Sequence, residues 1–168
     1  MQLAPRLTST QKGAVTEHLV AGVLTLASGG RLSPFMPMSD DDGVDLLVLD
    51  KETHGVLAVQ VKSAIASPNR KTVQFDVRKA THSDHANRYL LAVLFDPATV
   101  SIAMAWLLPM SRVAEVSVTQ AEKYALSPST ATDTTDRYRP FRYEGPKALA
   151  DAVLAAIVEP KGLRSTSG

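Results

Sequence analysis

Three polar residues, Asp45, Gln60 and Lys62, interrupt two otherwise apolar segments in the stretch GVDLLVLDKETHGVLAVQVKS, residues 43–63. An acid and an amide offer hard oxygen donors to a cation, and a neighbouring lysine can orient or acidify a water. Placing an acid, an amide and an ammonium in apolar strands is costly unless they partner one another or a cation. That cost marks the trio as a candidate site.

The elements that would position them follow from the same stretch. Val44–Leu49 and Val56–Val61 each have the length of a strand. Between them, Asp50-Lys51-Glu52-Thr53-His54-Gly55 has turn chemistry, so the pattern predicts a β-hairpin with both strands largely buried. Residues two apart on a strand share a face, which groups Gln60 and Lys62 with Ala58, and Asp45 with Leu47 and Leu49. A register that sets these faces side by side brings the three polar groups within roughly 5–10 Å.

Upstream, Thr8 and Gln11 match a capping box, and a helix is expected from about Ser9 to Ala27. Val15, Leu19, Gly22, Val23 and Leu26 form one stripe, while Val20, Ala21 and Leu24 make the opposite side apolar too. Glu17 falls on that second side and stands out there. Ser28-Gly29-Gly30 ends the helix, and Arg31–Met38, with Pro34 and Pro37, reads as an irregular edge strand. Of the acids Asp40, Asp41 and Asp42, the last lies nearest the first hairpin strand and is the candidate for the site; the others read as a solvated turn.

Downstream, a polar loop at 67–71 precedes a short strand around Thr72–Asp76, then a helix from Arg78 to about Asn87. His82 and His85 sit on that helix at i, i+3 without a third ligand, so it reads as a polar surface helix. Strands Tyr89–Phe95 and Val100–Leu108 are joined by Asp96-Pro97-Ala98-Thr99, with a helical turn at Met110–Glu115. Ser127–Asp136 is expected to be a mobile loop, Lys147–Val158 a last helix, and Pro160–Gly168 a disordered tail. The order of elements predicts an α/β (α+β) fold with a mixed central sheet flanked by helices, one domain over residues 1–159.

Bulk properties restrict the function classes. The 168 residues are 45% hydrophobic and 21% charged, with net charge +1 at pH 7, which supplies no global field for polyanions. A polyanion must be met by a local basic patch. There are no cysteines, so thiolate metal sites and disulfides are excluded. No apolar run reaches membrane-spanning length and the N-terminus lacks a signal-peptide core, so a soluble cytoplasmic protein with no membrane partner is expected.

A glutamate on the first helix (Glu17), an acid opening a buried strand (GVDLLVLD) and Gln60-Val61-Lys62 closing the next resemble the PD-(D/E)XK nuclease superfamily, in its restriction-endonuclease-like and Holliday-junction-resolvase-like branches. The resemblance spans roughly Lys12 to Ser63. Val44 stands where the motif has proline, and Gln60 where it has Glu or Asp. The resemblance implies a restriction-endonuclease-like core and a Mg²⁺- or Mn²⁺-dependent DNA endonuclease. It implies metal ligands in Asp45, Gln60 and the backbone carbonyl of Val61, with Glu17 or Asp42 adding charge and Lys62 acting on the attacking water. An amide in place of a carboxylate removes one negative charge beside the metal. DNA phosphates would be met by Arg70, Lys71, Arg78 and Lys79, and by Arg137, Arg139 and Arg142 with their interleaved aromatics. Many such nucleases dimerise, so a homodimer is compatible with the resemblance. Two other readings accompany this one. The first is a catalytically inactive module of the same fold that binds nucleic acid or protein. The second is an unrelated α/β domain in which Asp45 caps a strand, Gln60 is a satisfied core amide and Lys62 snorkels.

Overall fold

The structure, a computed structural model, describes residues 7–39 and 42–157. The expected tail at 160–168, Asp40 and Asp41 lie outside the described residues. The chain begins with α1 (Ser9–Ala27), β1 (Leu32–Phe35), β2 (Leu46–Asp50) and β3 (Val56–Ile65). It continues through β4 (Phe75–Arg78), a 3-10 turn at Lys79–Thr81, β5 (Arg88–Asp96) and β6 (Ser101–Pro109). Then follow α2 (Met110–Val116), β7 (Val118–Thr119), β8 (Lys123–Leu126), a 3-10 turn at Arg139–Phe141, β9 (Arg142–Tyr143) and α3 (Pro146–Ala156).

Six strands form a mixed sheet in the order β1-β2-β3-β5-β6-β9. β2 and β3 are the expected antiparallel hairpin, whereas β3 and β5 run parallel. A parallel pair needs a crossover, and residues 66–87 provide it. Within that crossover, β4 pairs with β8, which pairs with β7, to make a separate three-stranded sheet.

Period-two alternation divides the core. Val59 and Val61 of β3 and Leu91 and Val93 of β5 face Val20 and Leu24 of α1 and Leu149 and Val153 of α3. Leu90, Ala92 and Leu94, one residue out of phase, face Phe75 and Val77 of β4 and Val113 of α2. Trp106 of β6 fills the second core, its ring centroid 5.8 Å from that of Phe75. Both faces of the central sheet are therefore covered, as expected of a sheet with apolar residues on both sides.

Helix α1 has the expected capping box: Gln11 N–H donates to Thr8 Oγ1 at 3.1 Å and Thr8 N–H to Gln11 Oε1 at 2.9 Å. With both sides apolar the helix is expected to be largely buried, yet only the side of Thr16, Val20 and Leu24 is; on the other, Leu26 is 83% exposed. The helix is apolar on most sides, so spacing alone does not choose the inward face. Thr16 tolerates burial because its hydroxyl donates to the Lys12 carbonyl at 2.8 Å.

Three further expectations are corrected. No helix spans 78–87: β4 runs to Arg78, one 3-10 turn follows, and irregular chain leads to β5. Ser83, Asp84 and Asn87 favour local side-chain bonds over a helix interior, and His82 Nε2 is tied to the Met110 carbonyl at 3.0 Å. The segment 127–136, expected to be loose, is pinned by Thr130 N–H to the Lys71 carbonyl at 2.9 Å and by Ser129 N–H to Asp136 Oδ2 at 2.7 Å. Thr72 forms only an isolated bridge with Ser129, so the strand begins at Phe75.

The hairpin turn also contains an ion pair that spacing does not announce. Asp50, 2% exposed, accepts from Arg31 Nε at 2.8 Å and Nη2 at 2.7 Å, and from Glu52 N–H and the Thr53 hydroxyl. The Arg31 hydrogen bond is the largest influence on the carboxyl and outweighs desolvation, holding it well below the usual carboxylate range.

Candidate active site

The site is built where β2 begins. In the hairpin register Leu46 lies opposite Val59, yet Asp45 N–H also donates to the Val59 carbonyl, at 2.9 Å. The ladder has slipped by one residue, as in a β-bulge. The Asp45 carboxylate, not a main-chain carbonyl, then receives the Val61 N–H, with Oδ2 at 2.6 Å. Asp45 is thereby fixed against β3 beside Gln60 and Lys62.

Gln60 is 4% exposed. Its Nε2 lies 3.4 Å from Thr81 Oγ1, while its Oε1 is buried without a hydrogen-bond partner. Such an acceptor is costly to leave unmet and can take a ligand or an ordered water. Lys62, half-buried, faces the same side two residues on. Together Gly43, Asp45, Gln60, Lys62, Arg78 and Thr81 line one pocket of about 220 Å³.

Gly43 is required at the pocket wall. Its φ is +72°, and a Cβ there would stand 2.6 Å from the Thr81 Cβ and 2.9 Å from Gln60 Nε2. Only a residue without a side chain lets the 3-10 turn close on Gln60. The absent 78–87 helix thus has a structural counterpart: the turn that replaces it delivers Thr81 to the site.

This architecture is found in a solved structure. A bacterial homing endonuclease, I-Ssp6803I, superposes with a TM-score of 0.58 at 18% identity, covering 90% of this chain and 95% of that one. The chain thus has the expected restriction-endonuclease-like fold, a mixed six-stranded sheet flanked by helices. A Holliday junction resolvase, Hjc of Archaeoglobus fulgidus, also aligns, with a TM-score of 0.42 and 11% identity over 77% of this chain and 97% of its own. No protein-family model and no curated protein matches the sequence.

Around this core the remaining candidates take different places. Glu17 is half-buried on α1, outside the pocket lining. Asp42 is also outside it: its Oδ2 lies 3.7 Å from Arg88 Nη2, and its carbonyl accepts from the same guanidinium. Arg70 and Lys71 border shallower depressions next to the 67–74 loop. Lys79 lies over the Tyr124 ring, 5.6 Å from its centroid. Arg137 and Arg139 are exposed, Arg139 Nη1 standing 3.8 Å from Glu144.

Arg142, expected on a phosphate-binding surface, turns inward instead. Its side chain is 1% exposed and donates to the Ala131 and Thr132 carbonyls and to Glu144, which holds the 127–136 segment to β9. Among the described residues no group of three or more His, Cys, Asp and Glu side chains is placed to hold a metal, so His82 and His85 do not form one. Nor is any described helix long and apolar enough to cross a membrane.

Asp76 is the acid that spacing missed. It stands on β4, two residues before Arg78, and accepts from Lys123 Nζ at 2.7 Å and Gln74 Nε2 at 2.9 Å. Burial pushes its carboxyl up, but those hydrogen bonds and the charges of Lys123 and Lys62 bring it below its ordinary value. A carboxylate thus lies within electrostatic reach of Lys62. Its only signal in the sequence was alternation with Phe75 and Val77.

Proposed function

We propose that the chain is a metal-dependent DNA endonuclease that hydrolyses phosphodiester bonds at the Asp45–Gln60–Lys62 pocket. The observation that carries this reading is the meeting of those three side chains in one pocket, with the Gln60 Oε1 buried and unpartnered. The donors suit a hard divalent cation such as Mg²⁺ or Mn²⁺, which accepts one or two carboxylates, neutral oxygens and water. Asp45, Gln60 Oε1 and the Val61 carbonyl would hold it. Such a cation, when bound, neutralises charge on the attacked phosphate and lowers the pKa of water.

The chain's own residues then have separate roles. Lys62 donates a hydrogen bond that orients the attacking water and opposes the charge developing on the phosphate. Arg78, at the wall of the same pocket, offers its guanidinium to the non-bridging phosphate oxygens. Asp76 balances the positive charge of Lys62 and Lys123, which matters more where an amide replaces a carboxylate.

Incubating the protein with supercoiled plasmid tests the reading. Nicked or linear product is expected with Mg²⁺ or Mn²⁺ and none with chelator, and Lys62→Ala is expected to fold yet leave the plasmid intact. A folded wild-type protein that never nicks DNA in either metal, across substrate forms, overturns the proposal.

A further inference from the structure

We infer a second anion subsite, beyond the hydrolytic pocket, that holds a backbone phosphate of the DNA strand on Lys12 and Arg70; this rests on the nuclease reading above. Two adjoining depressions lie at the C-terminal end of β3 and share Lys12, Ala64 and Ile65. The first adds the hydroxyls of Ser9 and Ser63, the second Ser67 and Arg70. Lys12 comes from the start of α1 and Arg70 from the crossover loop, so the fold, not local sequence, brings the two cations to one trough.

The trough is braced on both sides. The Thr16 hydroxyl donates to the Lys12 carbonyl at 2.8 Å, the Thr130 hydroxyl to the Arg70 carbonyl at 2.9 Å, and Arg70 N–H to the Ser67 carbonyl at 3.1 Å. Among the described residues neither Lys12 nor Arg70 takes part in an ion pair. Asp96 borders the far side of Arg70, where its Oδ1 accepts the Ala98 N–H at 2.9 Å. Two cations outside any ion pair among the described residues, with three serines around an open trough, match the donor set of an anionic oxygen ligand.

Position selects the phosphate of a polymer. Lys62 and Ala64 lie two residues apart on one face of β3, about 7 Å at roughly 3.3 Å per residue, and Ala64 borders the trough together with Ile65 of the opposite face. One DNA strand rises about 3.4 Å per nucleotide, so a strand with its scissile phosphate near Lys62 brings another, a few nucleotides on, to Lys12 and Arg70. The subsite would set the strand's direction across the pocket.

The test is the salt dependence of binding to a short fluorescent duplex, with the full chain and without divalent metal. Replacing both cations, Lys12→Gln with Arg70→Gln, should weaken binding and lower the slope of log affinity against log salt by about 1.8, near 0.9 per lost contact. The charge-preserving pair, Lys12→Arg with Arg70→Lys, should keep the wild-type slope, and all variants should share its melting temperature. An unchanged slope in the glutamine pair overturns the subsite, as does an equal loss in the charge-preserving pair. Plasmid nicking is read separately. Wild-type protein that shows this slope but never nicks refutes the nuclease reading and leaves the subsite standing. Wild-type protein that nicks, with a glutamine pair of unaltered affinity, refutes the subsite alone.

Discussion

The Asp45 carboxylate receives the backbone N–H of Val61 at 2.6 Å, so a side chain completes the hairpin ladder where main chain would otherwise do so. Structure and proposed chemistry meet in that one group, and they can be separated. Asp45→Asn retains an oxygen acceptor for Val61 and should keep most of the stability while abolishing metal-dependent nicking. Asp45→Ala should abolish nicking and also cost about 2 kcal/mol, the size of a hydrogen bond to a charged group. Urea midpoints measured beside plasmid cleavage distinguish the two variants.

Gln60 tests the charge at the site. Gln60→Glu restores an anionic donor beside Asp45 and should lower the Mg²⁺ concentration for half-maximal cleavage by about tenfold. Without metal, a second buried carboxylate next to the first should reduce thermal stability, and added Mg²⁺ should recover it. Metal titrations of cleavage and of melting temperature read both effects.

Gly43 tests the pocket wall. Gly43→Ala meets both a left-handed backbone and a 2.6 Å approach to the Thr81 Cβ. The backbone alone costs about 1–2 kcal/mol, and the 3-10 turn must shift to make room. Cleavage should fall more steeply than stability, seen as loss of nicking in a variant that still melts cooperatively.

Acid stability tests the hairpin turn. The Asp50 carboxyl is depressed in the folded chain by Arg31, so its contribution is full above the unfolded-state pKa of about 3.9 and is lost as pH falls below it. In that range the unfolded chain binds the proton first, and stability drops with pH. Asp50→Asn should cost about 2 kcal/mol at pH 7 by removing the charge-assisted hydrogen bonds from Arg31, which keeps Glu52 at 2.8 Å from its Nη1, and should flatten the decline toward pH 3. Denaturant midpoints across that pH range measure both.

The hairpin was legible because two apolar runs flank turn residues, and the trio because period two leaves a polar side chain in a buried strand little freedom of direction. What spacing could not supply came from tertiary context. Arg78 and Thr81 reach the pocket through a crossover whose strand pairs with β8, far along the chain. Arg142 looks like a surface cation among aromatics, yet carbonyls from 131 and 132 and Glu144 draw it inward. The sequence leaves the inward face of α1 open, because leucine and valine occupy most of its circumference and packing rather than periodicity decides.

The parallel pairing of β3 with β5 has a consequence for how the molecule is assembled. Residues 43–63 can close a hairpin by local contacts alone, but the crossover that carries Arg78 and Thr81 is closed only when the strand ending at Asp96 has docked alongside β3. Non-local parallel pairing is intrinsically slow. During refolding, recovery of turnover should therefore lag behind recovery of secondary structure.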